Sequence, residues 1–130
     1  MGDSIELEDG KLWGGASWLV RSALTKIASH IDQDPKFSAW LEDCSNRSNG
    51  MVGFDLRGLS KERINLFYQA AEIALEETIH KGSKNWDSEE IFQSYIESLK
   101  LLTQRKGSPY YSGTTEWDGK KIDVEDLWET

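Results

Sequence analysis

The chain has 130 residues, of which 38% are hydrophobic and 29% are charged, and its formal net charge is −8. Such a length suits one domain with its own core, and such a composition is too apolar for a disordered chain. No stretch approaches the roughly 18 consecutive apolar residues of a membrane span, and the start of the chain lacks an export pattern. The sequence therefore predicts a single cytoplasmic domain over residues 1–130.

Two amphipathic helices are predicted between residues 16 and 44, because apolar residues recur there at intervals of three and four. Gly14 and Gly15 are expected to open the first helix. Asp34 can cap the second helix, and Pro35 can take its first position, where a backbone N–H is not needed. The first helix carries Ala16, Leu19, Val20, Ala23, Leu24, Ile27 and Ile31, and the second carries Phe37, Trp40, Leu41 and Cys44.

Two further helices have capping signals at their starts. Ser60 is a good N-cap for the third helix, and Leu59 can pack on Ile64 as a hydrophobic staple. Asp87 and Glu90 have the spacing of a capping box for the fourth helix, where Trp86 and Ile91 form another staple. The third helix is expected to bury Ile64, Phe67, Tyr68, Ala71, Ala74, Leu75 and Ile79 and to end at Gly82, and the fourth to bury Phe92, Tyr95, Ile96, Leu99 and Leu102.

Two stretches outside these helices have β-like patterns. Residues 51–57 alternate between apolar and polar positions, which indicates either a short strand or an extended connector packed under the helices. Asp118 and Gly119 stand between two β-prone segments, which is the favoured chemistry of a two-residue hairpin turn. The sequence therefore predicts a mostly α, four-helix compact domain with a short C-terminal β-hairpin, or an α+β domain if residues 51–57 also pair as a strand.

The negative charge is concentrated in acidic segments at the two ends of the chain. Residues 1–11 hold four acids against one lysine, a net of −3, and residues 116–130 hold six acids against two lysines, a net of −4. The residues between them therefore have a net charge of −1. Solubility needs no such segregation, and crowded like charges repel one another unless a basic surface meets them. The pattern favours a basic protein partner and disfavours direct binding to nucleic acid or to an anionic membrane.

The C-terminal segment is the candidate partner-binding site, because it combines acids with aromatic anchors. Acids at the rim of an interface speed association, whereas buried tryptophans make binding tight. The alternative is that Trp117 and Trp128 fold back to complete the core and that the acids are simply solvated. The candidate residues are Glu116, Trp117, Asp118, Asp123, Glu125, Asp126, Trp128 and Glu129.

Sequence motifs for catalysis or metal binding are absent. The chain contains no HExxH, no phosphate-binding glycine loop and no GxSxG, and residues 118–126 lack the spacing of a calcium loop. The single cysteine, Cys44, excludes an internal disulfide framework and is expected to be a buried helix residue. His30 and His80 are expected at helix ends, where a protonated ring is favourable. We therefore expect no catalytic residue, cofactor, metal or small-molecule substrate.

The segment GFDLRGLSKERINLFYQAAEIAL, residues 53–75, resembles a segment of small acidic bacterial immunity proteins of contact-dependent inhibition and related polymorphic toxin systems. The resemblance implies a cytosolic protein that binds and neutralises one cognate toxin, commonly a nuclease with a basic substrate cleft. It carries over no binding residue, because the matched segment is a connector, an N-cap and an amphipathic helix.

Charge and resemblance lead to the same hypothesis, an immunity protein that covers the basic surface or the active site of a toxin domain. Two alternatives from other classes stay open. One is an acidic protein–protein adaptor unrelated to toxins. The other is a small enzyme that uses a carboxylate, or Cys44 paired with His30. A neighbouring gene for a large exported protein with a toxin-like C-terminal end would distinguish among them.

Overall fold

Residues 2–46 and 53–125 are described by the computed structural model of the chain. Within these ranges, an antiparallel strand pair precedes four α-helices, and a short 3-10 helix, Leu56–Gly58, precedes the third of them. The prediction of a mostly α fold with four helices is confirmed for this part of the chain. The strands are β1 (Gly2–Glu6) and β2 (Leu12–Ala16), and the helices are α1 (Ser17–Ser29), α2 (Pro35–Ser45), α3 (Lys61–Lys81) and α4 (Glu89–Thr103).

The β-hairpin lies at the N-terminus, so its predicted C-terminal position was wrong. β1 and β2 pair in antiparallel register with Ile5 opposite Trp13, and both side chains are fully buried. In the connecting turn the Gly10 N–H donates to the Leu7 carbonyl (2.9 Å), and Gly10 has a φ of +84°. Glycine adopts positive φ without a steric cost. The hairpin forms here because a suitable turn coincides with flanking apolar residues that reach the core.

The predicted turn at the C-terminal end does form, but without a hairpin. The Lys120 N–H donates to Asp118 Oδ1 (2.9 Å), and Gly119 has a φ of +81°. Residues 114–123 contain no strand, since their backbone hydrogen bonds run to distant loops. Turn chemistry bends the chain locally, but a hairpin also needs two flanking segments that bond to each other.

Residues 53–55 form an extended connector and not a full strand. The Glu6 N–H donates to the Phe54 carbonyl (2.9 Å), and Asp55 forms an isolated parallel bridge with Glu6. The 3-10 helix follows at once. Of the two interpretations of residues 51–57, the extended connector is the correct one for the described part, and residues 51 and 52 lie outside it.

The predicted starts of α2 and α3 are confirmed. Asp34 Oδ1 accepts a hydrogen bond from the Phe37 N–H (3.2 Å), and Pro35 takes the first helical position. Ser60 Oγ accepts from the Arg63 N–H (3.3 Å). Each side chain satisfies an N–H that the helix leaves without a partner in its first turn.

α4 and α1 begin differently from prediction. Ser88 caps α4, because its Oγ accepts an N–H of the first turn (3.1 Å), so the predicted Asp87 cap was wrong by one residue. The Gly14–Gly15 pair belongs to β2 and does not open α1. A Cβ atom at Gly14 would lie 2.1 Å from the Asp3 carbonyl oxygen, so the close approach of the two strands requires glycine at this position.

The core lies between the hairpin and the helices, with α1 packed against α2, α3 and both strands. The predicted apolar stripes are largely confirmed, except that Ala16, which was assigned to the first helix, is an exposed residue at the end of β2. No helix in the described ranges is long and apolar enough to cross a membrane. The largest fully buried side chains are Trp13, Tyr95, Phe37, Phe67, Ile5, Leu7, Leu24, Ile27, Leu41, Leu56, Leu99 and Leu102.

Ile79 corrects the predicted stripe of α3, because 49% of it is exposed. The buried stripe continues from Ala74 to Thr78, four residues on, and the Thr78 hydroxyl donates to the Ala74 carbonyl (2.7 Å). Ile79 is therefore turned about 100° away from the stripe. The polar Thr78 is therefore buried, whereas the apolar Ile79, which the pattern predicted to be buried, is exposed.

Candidate functional site

The C-terminal segment, residues 113–125, is tied to the body of the protein by backbone hydrogen bonds. The Thr115 N–H donates to the Gly10 carbonyl (2.8 Å), in the turn between β1 and β2. The Ile122 N–H donates to the Gly58 carbonyl (2.9 Å), at the end of the 3-10 helix. The segment is therefore held on the surface and is not a solvated tail.

Arg57 supports the start of this segment from a half-buried position. Its guanidinium donates to both oxygens of Asp55 (2.9 Å each), to Glu6 Oε2 (3.1 Å) and to Thr115 Oγ1 (3.1 Å). Burial alone would raise the pKa of Asp55, but hydrogen bonds from Arg57 outweigh it and hold that pKa below its usual value. Glu6, one of the N-terminal acids, is thereby paired within the fold.

Glu8, a second N-terminal acid, is also paired within the fold. It accepts a hydrogen bond from the Tyr68 hydroxyl and another from Arg105 Nη1 (3.0 Å). The Arg105 guanidinium lies 4.2 Å from the centroid of the Tyr68 ring. Burial, and then the hydrogen bond to Glu8, raise the pKa of Tyr68, so this hydroxyl keeps its proton. Glu8 therefore fastens the hairpin turn to α3.

Glu125 closes the C-terminal segment onto α2 and α3. Its carboxylate accepts from Lys36 Nζ (2.8 Å) and from Arg63 Nη2 (2.8 Å), and the preceding residue, Val124, is buried. Hydrogen bonds from Lys36 and then Arg63 lower the pKa of Glu125. This predicted partner-binding residue therefore already has two cationic partners within the chain.

The exposed predicted residues of this segment form a surface that we call the C-terminal face, made of Glu116, Trp117, Asp118 and Asp123. Trp117 is 37% exposed, and Lys121 Nζ lies 5.4 Å from its ring centroid. Lys120 and Lys121 offset part of the negative charge, so the face presents a pattern of charges and not a uniform field. The other predicted residues, Asp126, Trp128 and Glu129, lie outside the described ranges.

A second surface feature, which no sequence pattern predicted, is a pocket between the start of α1 and the start of α4. Trp18, Asn85, Trp86, Asp87 and Ile91 line this aromatic pocket, which has a volume of about 330 Å³. Trp18 is 47% exposed and Ile91 is 39% exposed. Large apolar side chains exposed side by side are typical of interaction sites.

The wall of the aromatic pocket is a cluster of packed rings. The Trp18 ring is stacked on Tyr95 with centroids 6.1 Å apart, and it meets Trp86 edge-on at 6.3 Å. Lys26 Nζ lies 4.7 Å from the Tyr95 centroid and 5.4 Å from that of Trp86. Burial, and then Lys81, lower the pKa of Lys26, and burial raises the pKa of Tyr95 to about 12. The rings of Trp18 and Trp86 are therefore held in place by packing against each other and against Tyr95.

Two sequence signals could have located this pocket. Trp18 stands one position before Leu19, the first buried residue of α1, so it falls outside the apolar stripe of that helix. The predicted staple of Trp86 and Ile91 also brings two of the lining residues together. An aromatic residue next to the apolar stripe of one helix, together with another aromatic residue just before the start of a second helix, indicates an aromatic cluster on the surface.

The two residues of the Cys44–His30 pair have different surroundings in the structure. Cys44 is buried near the end of α2, whereas His30 caps the end of α1 before α2 begins. Cys44 follows Pro35 by nine positions on α2, a rise of about 13 Å along the axis. His30 Nε2 instead lies 3.2 Å from Glu77 Oε2. Residues 2–46 and 53–125 contain no group of three or more His, Cys, Asp or Glu side chains that could hold a metal ion.

The described part of the chain is thus a small helical domain with an N-terminal hairpin, a C-terminal face of mixed charge and an aromatic pocket. Comparisons with protein-family models, with curated proteins and with solved structures give no match. The charges and contacts described above are therefore the basis for a proposed function.

Proposed function

We propose that this protein is an immunity protein that binds a bacterial toxin domain and neutralises it by covering a basic surface or the active site. The contact surface is the C-terminal face, with Trp117 as the anchor and the acids as its rim. The partner is a nuclease, because the substrate cleft of a nuclease must be basic to hold phosphates and acids can occupy it. The resemblance of residues 53–75 supports the same class.

This proposal rests on a contrast between bonded and exposed residues in the C-terminal segment. Thr115 and Ile122 are bonded to the body, whereas Trp117 and its neighbouring acids stay exposed. A tryptophan on a fixed backbone loses little conformational entropy when it binds. Tryptophan is also the side chain most enriched among residues that dominate binding energy. The segment therefore has the properties of a preformed binding surface.

A growth-rescue assay tests the proposal. The C-terminal domain of an exported protein encoded beside this gene is produced in a bacterium, with and without this chain, and growth is followed. We expect the chain to restore growth and to form a complex of defined stoichiometry with the domain. Toxicity that persists despite a folded chain would overturn the toxin assignment. Binding to a basic partner that is not toxic would favour the adaptor instead.

Matched charge variants locate the contact surface. A triple variant of the C-terminal face replaces Glu116, Asp118 and Asp123 by their amides. The control replaces the exposed α3 residues Glu62, Glu72 and Glu76 by glutamine, which removes the same charge elsewhere. Rescue that is weakened by the first variant and kept by the second supports the C-terminal face. Equal loss of rescue in the two variants would mean that the net charge of the chain, and not the C-terminal face, determines binding to the toxin.

A further inference from the structure

The aromatic pocket has the composition of a site for a cationic side chain. Trp18 and Trp86 supply aromatic surface, and tryptophan is the ring that attracts cations most strongly. Asp87 is the charged residue among the lining side chains, and its carboxylate adds a negative charge at the rim. The volume of about 330 Å³ lies at the lower end of ligand pockets, which suits one side chain better than a cofactor.

The exposed charged residues next to the pocket are mostly acidic. Glu89 and Glu90 lie in the first turn of α4, next to the pocket, and Lys84 is the nearby cation in the chain before them. Lys26 is half-buried against Trp86 and is not among the residues that line the pocket. The Lys26 ammonium group already lies over the Trp86 ring, so this ring of the pocket makes a cation–π contact within the chain.

We propose that the aromatic pocket binds an arginine or lysine side chain, flanked by apolar residues, on a segment of a partner protein. The cation lies against Trp18 and Trp86 and pairs with Asp87, while the flanking apolar residues contact Ile91. Exposed apolar surface and charge complementarity both favour this occupant. The proposal does not depend on the toxin assignment, since it concerns the chemistry of the pocket alone.

The pocket and the C-terminal face are separate surfaces at opposite ends of α3. Arg63, near the start of α3, holds Glu125 of the C-terminal segment. Thr78, near the end of α3, accepts a hydrogen bond from Lys26 (3.4 Å), which contacts the pocket wall. Thr78 follows Arg63 by fifteen positions on α3, a rise of about 22 Å along the axis. Variants at one surface can therefore serve as controls for the other.

A peptide titration of the full chain tests the proposal. The probe is acetyl-Leu-Arg-Leu-amide, and the controls replace arginine by citrulline, which has a similar shape without charge, or by glutamate. The indole N–H signals of Trp18 and Trp86, assigned from single-site variants, are followed by NMR at millimolar peptide. We expect saturable shifts with the arginine peptide and binding of the citrulline peptide weaker by about threefold to fivefold.

Two variants and one control variant complete the test. Asp87→Asn should weaken arginine binding about threefold, because an exposed ion pair is worth about 0.2–1 kcal/mol. It should leave the domain folded, because Asp87 is exposed. Trp18→Ala should weaken it by about threefold to fivefold, and Trp117→Ala should leave it unchanged. Equal binding of the arginine and citrulline peptides, or no shift at either indole, would overturn the proposal. The proposal would also be overturned if the free chain self-associates and Trp18→Ala abolishes this self-association, because a second copy of the chain would then cover the pocket.

Discussion

The Arg63 guanidinium donates two hydrogen bonds to the Asp34 carboxylate, from Nε to Oδ2 at 2.7 Å and from Nη2 to Oδ1 at 3.2 Å. The same carboxylate caps α2 through the Phe37 N–H. Arg63 in turn reaches Glu125 of the C-terminal segment. One charged pair therefore fixes the start of α2, the start of α3 and the segment that carries the C-terminal face.

Replacing Arg63 by glutamine should destabilise the domain by about 1.5–3 kcal/mol, the usual contribution of hydrogen bonds to a charged partner. Both side chains of the Arg63–Asp34 pair are about one-fifth exposed, so solvent screens the pair only partly. The matched control is Lys81→Gln, which removes an exposed pair with Glu77 on the same helix. Urea unfolding of both variants measures the difference. Equal losses would contradict the assignment of Arg63 as a structural link.

Asp34 should make the free energy of unfolding fall more steeply as the pH is lowered. The Arg63 hydrogen bond, which is opposed by burial, holds the pKa of Asp34 below its ordinary value. An unfolded Asp has a pKa of about 3.9, so this stabilisation is complete above that pH and is lost as pH falls through the lower folded value. We expect Asp34→Asn to flatten the loss of unfolding free energy between about pH 4 and pH 2. Urea titrations at a series of pH values measure this free energy for both chains. The same loss at low pH in Asp34→Asn and in the parent chain would refute the prediction.

Gly58→Ala should loosen the C-terminal segment. A Cβ atom at Gly58 would lie 2.9 Å from Ile122 Cγ1 and 3.0 Å from the Lys120 carbonyl oxygen, so the segment would have to shift. Such crowding typically costs about 1–3 kcal/mol. Gly15→Ala is the control, because its Cβ would meet Tyr110 at an ordinary 3.7 Å. Hydrogen exchange of the Ile122 N–H reports the shift, and protection as strong as in the parent chain would contradict it.

The tryptophans at positions 13 and 117 should respond in opposite ways to truncation. Trp13 is fully buried and its Nε1 donates to the Ser98 carbonyl (2.8 Å), so Trp13→Ala should cost about 3–5 kcal/mol of stability. Trp117 is more than one-third exposed, so Trp117→Ala should change the melting temperature little but raise the dissociation rate of the toxin complex. Thermal unfolding and surface-based kinetics separate the two. A large loss of stability in Trp117→Ala would make Trp117 a core residue and not an anchor.

The acids of the C-terminal face should act mainly on the association rate. Replacing Asp118 and Asp123 by asparagine keeps an oxygen that can accept the N–H of Lys120 or Glu125, so the turns are preserved. The lost charges should slow association with a basic partner and reduce its dependence on salt. Stopped-flow measurements at several ionic strengths test this. An association rate that stays constant across the series would remove the C-terminal face from the interface.

The helices of this protein could be located from local patterns. Asp34, Pro35 and Ser60 mark helix starts in the sequence and do so in the structure, because a cap bonds to an N–H only two or three residues away. Apolar spacing likewise predicted the buried faces of α1 and α4, since both follow from the helical period. The misplaced cap of α4 was an error of one residue.

The hairpin and the candidate site depended on contacts that no local pattern contains. Asp9-Gly10 and Asp118-Gly119 have the same turn chemistry, yet only the first is flanked by strands, because Ile5 and Trp13 reach the core. Charge patterning likewise marked both acidic ends but not the cations that meet them, such as Arg57 for Glu6.

Local sequence was sufficient wherever the interaction spans one helical turn, as at the caps and the apolar stripes. Long-range packing decided which acids are paired and which are exposed, because Arg63 and Glu125 are distant in the chain and adjacent in the fold. It also decided where aromatic residues gather, since Trp18 and Trp86 come from separate elements. Such pairs form only when the core brings their elements together, because the burial of apolar surface sets which elements pack against each other.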